Sequence, residues 1–407
     1  MKILWVKAGG LVPPDTGGKI RSYNILRELA RRHSVTFFSF HGAHDNDQHP
    51  GLKDIFDRVV CVPLSLPAPK SSRELADYGI RLFSPQPYGI TKFCRPEVRQ
   101  QLRTSLKLES YDVILCDFLT PAGVIPWDSP IPKVVFTHNV EAMIWKRHYQ
   151  VAKNPVWKGI SWWEWRKMQA AELRYLRLAD RVLTVSETDR NIFAASLPGQ
   201  TITVIPTGVD VDYFKPMPVE ELPNSLVFTG SMDWLPNEDA IFYFVEAILP
   251  LLKPQCPELV LEVVGRNPSR KLQALAENEK SLRLTGWVED IRPFLARGSV
   301  CVVPLRIGGG TRLKIFEAMA MGKATVSTTV GAEGLPVQNG ENILLADTPD
   351  QFAYSVLSLL HDAKRRRQLG TAARILVEEN YSWPKIAESF SRILQQVVDT
   401  HKAATPV

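Results

Sequence analysis

Three glycines, a hydroxyl, two cations and a carboxylate fall within residues 308–317: Gly308, Gly309, Gly310, Thr311, Arg312, Lys314 and Glu317. Glycines let the backbone approach a ligand closely. Thr311 is a residue type that caps a helix start, and the free N–H groups of a first turn carry partial positive charge. Arg312 and Lys314 place full cations where a helix start disfavours them, so the pattern wants an anion, and phosphate suits it. Glu317 stands about one and a half helical turns from Thr311 and offers a carboxylate that accepts hydrogen bonds from the hydroxyls of a polyol. The alternative for Lys314 and Glu317 is a surface i,i+3 pair worth a few tenths of a kcal/mol.

A buried strand from Ser299 to Pro304 precedes these residues, and Leu313, Phe316, Ala320 and Met321 recur at helical spacing after them. The same strand, glycine loop and helix sequence opens the chain. Lys2–Val6 reads as a strand, residues 9–18 as a loop ending in Gly17 and Gly18, and 19–32 as a helix. That helix is expected to bury Ile20, Tyr23, Ile25, Leu26 and Leu29 and to keep Arg21, Arg27, Arg31 and Arg32 off its buried side. Gly17 and Gly18 either shape a ligand loop or make a plain flexible one. The spacing is not GxGxxG, which argues against a nicotinamide dehydrogenase.

Strand-like runs continue at 35–40, 59–62, 112–116, 133–137, 181–185 and 201–205. Their alternation with helical segments predicts an α/β protein with doubly wound parallel sheets. Ligands in such sheets sit beyond the carboxyl ends of the strands. That rule singles out Asp117 after VILC and His138 with Asn139 after KVVFT, and, less directly, Glu141 in the same turn. A histidine there is otherwise an ordinary core or surface residue.

The stretch GGGTRLKIFEAMAMGKATVSTTVGAEGL resembles the donor-site segment of the retaining glycosyltransferases of family 4. The resemblance implies the GT-B architecture, in which two Rossmann-like domains face a central cleft, with a nucleotide diphosphate sugar as donor. Glu317 matches the family glutamate that holds the ribose; the family's other glutamate falls on Gly309, as in the subset that resembles the GGGTR form. It further implies donor contacts from Gly309, Gly310 and Thr311 and places the loop PPDTGGKIRSYNIL, with Gly17 and Gly18, at the cleft, facing the donor phosphate and the acceptor. His138 would lie near the reacting sugar, and Asp117, Asn139 and Glu141 would be acceptor-side candidates. Around Gly230, where many members carry an arginine and a lysine for the diphosphate, this chain has Ser231 and Asn237. Arg312 and Lys314 are expected to supply that charge. Trp287 and Val288 would meet the base and Arg266 phosphate or sugar, a plain turn being the alternative for each loop. The implied domains are 1–208 on the acceptor side, 209–383 for the donor and 384–407 crossing back.

The implied activity is metal-independent transfer, with retention, to a saccharide or lipid-linked acceptor, in envelope or exopolysaccharide biosynthesis. Two alternatives stand beside it, a catalytically silent glycosyltransferase-like partner subunit and a GT-B nucleotide-sugar epimerase. The 407 residues are 45% hydrophobic and 23% charged, ordinary values for a globular chain with room for two cores. No apolar run of about 18 residues occurs, and MKILWVKAGGLVPP has too short an apolar core for a signal peptide, so a cytoplasmic protein is expected. Its five cysteines show no CxxC spacing and suggest neither a metal site nor a disulfide framework. The net charge of +6 is uneven, with 28 Lys and Arg against 19 Asp and Glu in residues 1–205. Residues 156–179 combine Trp157, Trp162, Trp163 and Trp165 with Lys158, Arg166 and Lys167. They read either as a core-facing helix or as an interfacial one, the second giving peripheral contact with the inner face of a membrane. No nucleic-acid motif is present.

Overall fold

The computed structural model describes residues 1–42, 50–68, 71–152, 154–307 and 313–404. They form two compact units, one of residues 1–206 with 386–407 and one of residues 207–385. The first holds seven parallel strands: β1 (Lys2–Ala8), β2 (Ser34–Gly42), β3 (Arg58–Leu64), β4 (Val113–Asp117), β5 (Lys133–Phe136), β6 (Arg181–Thr184) and β7 (Ile202–Val204). Their order is β3-β2-β1-β4-β5-β6-β7. The chain leaves β1 in one direction and returns to β4 in the other, so the switch point lies between those two strands. In register, Lys7 of β1 stands opposite Asp117 of β4.

The second unit repeats the design with β8 (Ser225–Thr229), β9 (Val260–Val264), β10 (Leu282–Gly286), β11 (Val300–Val303), β12 (Thr325–Ser327) and β13 (Leu344–Leu345). All pair in parallel, in the order β10-β9-β8-β11-β12-β13, with the switch between β8 and β11. Helices cover both faces of a parallel sheet, which is why central strands such as Ile3–Val6 and Leu226–Phe228 are apolar without alternation and wholly buried. Each unit has its own apolar core around its sheet.

Two elements depart from the periodicity. The first helix runs Gly17–Ala30, so it begins at the glycine pair, and Arg21, expected off the buried side, is 1% exposed because its guanidinium is satisfied inside. The helix that begins at Leu235 changes to a π turn at Phe244–Ile248. Pro250 follows, and its missing N–H and its ring against the carbonyl of Glu246 account for the change. The last helix, Trp383–Ala404, packs with the first unit from Ile386 onward, where Phe390 stacks on Trp5 with ring centroids 5.7 Å apart.

Candidate functional site

At the switch point of the first unit a buried polar cluster is assembled from four elements. Trp5 and Lys7, two residues apart on β1, point to the same face. The helix Gly17–Ala30 supplies Arg21 and Ser22, β4 ends in Asp117, and the chain after β5 supplies His138. One carboxylate oxygen of Asp117 accepts from Trp5 Nε1 at 3.1 Å, Lys7 Nζ at 2.9 Å and Ser22 Oγ at 2.7 Å. The other lies 2.8 Å from His138 Nε2. Arg21 sits 2.9 Å from His138 Nδ1, and a guanidinium only donates, so Nδ1 accepts and Nε2–H donates to Asp117.

Electrostatics agree with that neutral tautomer. Burial pulls His138 down to about 4, against the raising effect of Asp117, while Arg21 and Lys7 add to the lowering. Burial alone would raise the Asp117 carboxyl, but Lys7, His138 and Ser22 outweigh it and hold the group well below the usual carboxylate range. Burial brings Arg21 down to about 10. Both ring nitrogens of His138 are thus held by protein groups.

Phe118 closes the cluster. Its ring lies flat on the His138 ring, 3.8 Å between centroids and 6° between planes, and Lys7 Nζ is 4.6 Å from its centroid. Its φ of 67° is in the left-handed region, uncommon for a bulky residue and strained there. Gly18 makes room for it: a Cβ at that position would stand 2.5 Å from Phe118 Cζ. Gly18→Ala is expected to push Phe118 off the imidazole and to cost ~1–3 kcal/mol, the usual effect of overpacking. Urea denaturation of the variant checks this.

Glu141 begins the helix Glu141–Val151, while Asn139, half-buried, lies in the turn before it. Burial pushes the Glu141 carboxyl up to about 7, against a hydrogen bond from the Leu119 backbone. Beneath it, burial pushes Glu172, which accepts from Ala142 N at 3.2 Å, up to about 8. A carboxyl raised in the folded state costs nothing below its unfolded value near 4.5 and progressively more as pH rises through 8. Glu172→Gln keeps the acceptor and is therefore expected to stabilise the protein by ~2–4 kcal/mol at pH 9 and negligibly at pH 4. Melting curves at the two pH values decide it.

In the second unit the switch point gathers Gly230, Asn237 and Lys314. Gly230 follows β8 with φ 152°, a conformation essentially confined to glycine. A Cβ there would also stand 2.6 Å from Asn237 Nδ2 and 2.8 Å from Lys314 Nζ. Lys314 Nζ donates to Asn237 Oδ1 at 2.6 Å and lies 3.9 Å from the centroid of the buried Phe228 ring, while Asn237 Nδ2 donates to the Ser231 carbonyl at 2.8 Å. The loop after β9 joins this one: Met232 N donates to the Arg266 carbonyl at 2.9 Å and Arg266 Nε to Ser231 Oγ at 3.2 Å. The Arg266 side chain is exposed.

Glu317 lies one turn past Lys314 on the helix Leu313–Ala320. Burial pushes its carboxyl up to about 7, with Lys314 drawing it down. Trp287, 72% exposed, and Val288, packed against the core, follow β10 at the sheet edge. Gly309, Gly310, Thr311 and Arg312 lie outside the described residues.

The structure therefore brings together Gly17, Gly18, Asp117 and His138 in one unit, and Gly230, Asn237, Arg266 and Lys314 in the other. Lys7, Arg21, Ser22 and Phe118 were not singled out from sequence. One signal was present, Lys7 as a charge directly after the apolar run ILWV of β1.

Comparison with known proteins connects both units to one class. Residues 16–213 match a family model described as Glycosyltransferase Family 4, and residues 223–362 one described as Glycosyl transferases group 1. An uncharacterized 44.6 kDa protein in the cps region of Klebsiella pneumoniae is 21% identical over 72% of this chain and 76% of its own. A Mycobacterium tuberculosis protein named GDP-mannose-dependent alpha-(1-6)-phosphatidylinositol monomannoside mannosyltransferase is 25% identical over 53% of this chain, which spans 62% of that protein's length. In fold, the chain is similar to sucrose-phosphate synthase from Thermosynechococcus elongatus (TM-score 0.70, 18% identity, 98% of this chain and 100% of that one). Anabaena HepE in complex with UDP gives a TM-score of 0.67 at 14% identity, over 97% and 100% of the two chains.

Proposed function

We propose that this chain, a glycosyltransferase by its two family matches and of the GT-B fold, moves a sugar from a nucleotide diphosphate sugar, with retention and without a resident metal, to a saccharide or lipid-linked acceptor. The observation that carries the reading is the Gly230, Asn237 and Lys314 arrangement at the switch point of the second unit, with the half-buried Glu317 carboxyl one turn away. A cation and a glycine loop at the carboxyl ends of parallel strands suit a diphosphate, and a carboxylate beside them suits ribose hydroxyls.

Glycosyl transfer requires the departing diphosphate to be stabilised as the glycosidic bond breaks. Lys314 does this in our reading, with Arg312 and the amides of residues 309–311 as its partners. Glu317 anchors the ribose, and Trp287 and Val288 flank the base. No side chain is assigned as nucleophile; the acceptor hydroxyl attacks as the diphosphate leaves and the diphosphate takes its proton. In the first unit, Arg21 and Asp117 fix the His138 ring, on which Phe118 stacks, so His138 acts as a positioning residue for the acceptor side. Uridine is the first base to test, because HepE is a fold neighbour that was crystallised with UDP. A role in envelope or exopolysaccharide assembly fits the similarity to a protein of a cps region.

A thermal-shift panel of UDP, GDP, ADP and dTDP, followed by their sugars, tests the reading. One nucleotide is expected to raise the melting temperature, since saturation to 100 times Kd stabilises by about 2.7 kcal/mol. Absence of a shift with every nucleotide and nucleotide sugar would overturn it.

A further inference from the structure

Outside both clusters, the first unit carries an apolar surface with no counterpart in its core. On the helix Ser72–Arg81 no residue is fully buried, although Leu75 is 74% and Ile80 82% exposed, and Phe83 just beyond is 85% exposed. The helices Glu141–Val151 and Pro155–Leu178 add Ile144, Val151, Val156, Trp157, Trp162 and Trp163, all exposed. The tryptophan-rich helix thus turns three of its indoles outward rather than onto the sheet. These elements meet. Leu75, Tyr78, Tyr88, Trp145, Trp157 and Ile160, with Ser71, Ser72 and Glu74, line a mainly apolar pocket of about 450 Å3, within the size range of sites that take a small organic ligand. Trp163 Nε1 donates to the Leu82 carbonyl at 2.9 Å and ties the long helix to the chain before Phe83.

The fully exposed charges on this face have one sign. Every exposed charged side chain on the three helices is a cation, Arg73, Arg147, Lys158 and Arg166 among them. Of the carboxylates on the same helices, Asp77 pairs with Arg81 at 3.0 Å, Glu164 pairs with Lys167 and Glu172 is buried, while Glu74 is part-exposed and lines the pocket. A second copy placed symmetrically on such a face would set cation against cation. An anionic lipid surface complements it, accepting aliphatic and indole side chains below the headgroups and lysines and arginines among them. No described helix is long and apolar enough to cross a membrane, so the mode is lying on it.

We infer that this three-helix face docks the first unit on an anionic bilayer, with a lipid hydrocarbon chain entering the pocket between Leu75 and Trp157. The inference is independent of the transferase reading, because docking is measured without nucleotide.

The experiment is co-flotation of the full chain with vesicles of phosphatidylcholine alone or mixed equally with phosphatidylglycerol. Two double variants, Ile80→Asp with Phe83→Asp and Lys158→Glu with Arg166→Glu, alter only exposed positions, and their melting temperatures should match that of the parent. The parent is expected to float with the mixed vesicles, with a blue shift of tryptophan emission, and to stay behind with neutral ones. Each variant should lose binding on the order of tenfold or more. The proposal is overturned if the parent ignores the mixed vesicles, if both variants bind as the parent does, or if the parent self-associates through Ile80 and Phe83 without lipid.

Discussion

Asp117→Ala is expected to destabilise the first unit by ~3–5 kcal/mol, the largest loss from any single substitution considered for this protein. The estimate follows from what the substitution leaves behind. Lys7, 3% exposed, would keep a buried ammonium with no counter-charge, and Trp5, Ser22 and His138 would each lose an acceptor. A control separates this from simple cavity formation. Replacing both members of the ion pair by apolar residues of similar size, Lys7→Met with Asp117→Leu, removes the stranded charge and should recover much of the loss.

The pH profile gives a second check. A carboxyl held below its unfolded value stabilises the folded state above about pH 4, and that contribution disappears as pH falls toward the folded value. His138, lowered to about 4 from an ordinary value near 6.5, works in the same direction: its contribution is complete above about pH 6.5 and is lost as pH falls through 4. The parent should therefore weaken between pH 6.5 and 4 through His138 and again below about pH 4 through Asp117, whereas the doubly apolar variant should lack the second loss. A cost under 1 kcal/mol for Asp117→Ala in urea denaturation would show that the cluster does not carry the unit.

Much of this architecture is legible in the chain. The strands at the centre of each sheet are buried on both faces, so they appear as uninterrupted apolar runs with polar or glycine residues at their carboxyl ends. Thr325–Ser327 and Leu344–Leu345 escape that reading because three and two residues carry no pattern. Asp117 and His138 are found by the rule about strand ends, which needs only sequence. Their partners are not. A helical projection assigns Arg21 outward because it is charged, and only the fold reveals an imidazole nitrogen waiting for a donor.

Glycines divide in the same way. The need for Gly230 has a local part, its φ, and a distant part, the Lys314 ammonium brought in from a helix after β11. Gly18 is explained almost wholly by Phe118, a ring supplied from the chain just past β4 and held in a strained conformation. Sequence separation hides such constraints, since each partner looks unremarkable among its own neighbours. Glu317 shows the converse. Its spacing from the glycine loop marks it as a ligand residue, but its cost to the unliganded fold emerges only from its burial.

That cost yields the second large effect, in which ligand binding and stability move in opposite directions. Glu317→Ala is expected to weaken nucleotide-sugar binding on the order of 10- to 100-fold, because the proposed carboxylate accepts charge-assisted hydrogen bonds from two ribose hydroxyls, each worth ~1.5–3 kcal/mol before desolvation. The nucleotide-induced rise in melting temperature should vanish at concentrations that saturate the parent. The unliganded protein behaves otherwise with Glu317→Gln, which keeps the side-chain volume and discards the charge. Burial raises the Glu317 carboxyl to about 7, so the folded state bears no penalty below about pH 4.5 and an increasing one as pH passes 7. Unliganded Glu317→Gln should thus exceed the parent by ~1–3 kcal/mol at pH 8.5 and equal it at pH 4.5. A residue kept for packing would lower stability when replaced at either pH and leave nucleotide affinity untouched. A gain in stability coupled to a loss of binding is the signature of a group held at a cost for its ligand, and isothermal titration beside melting curves at the two pH values distinguishes the cases.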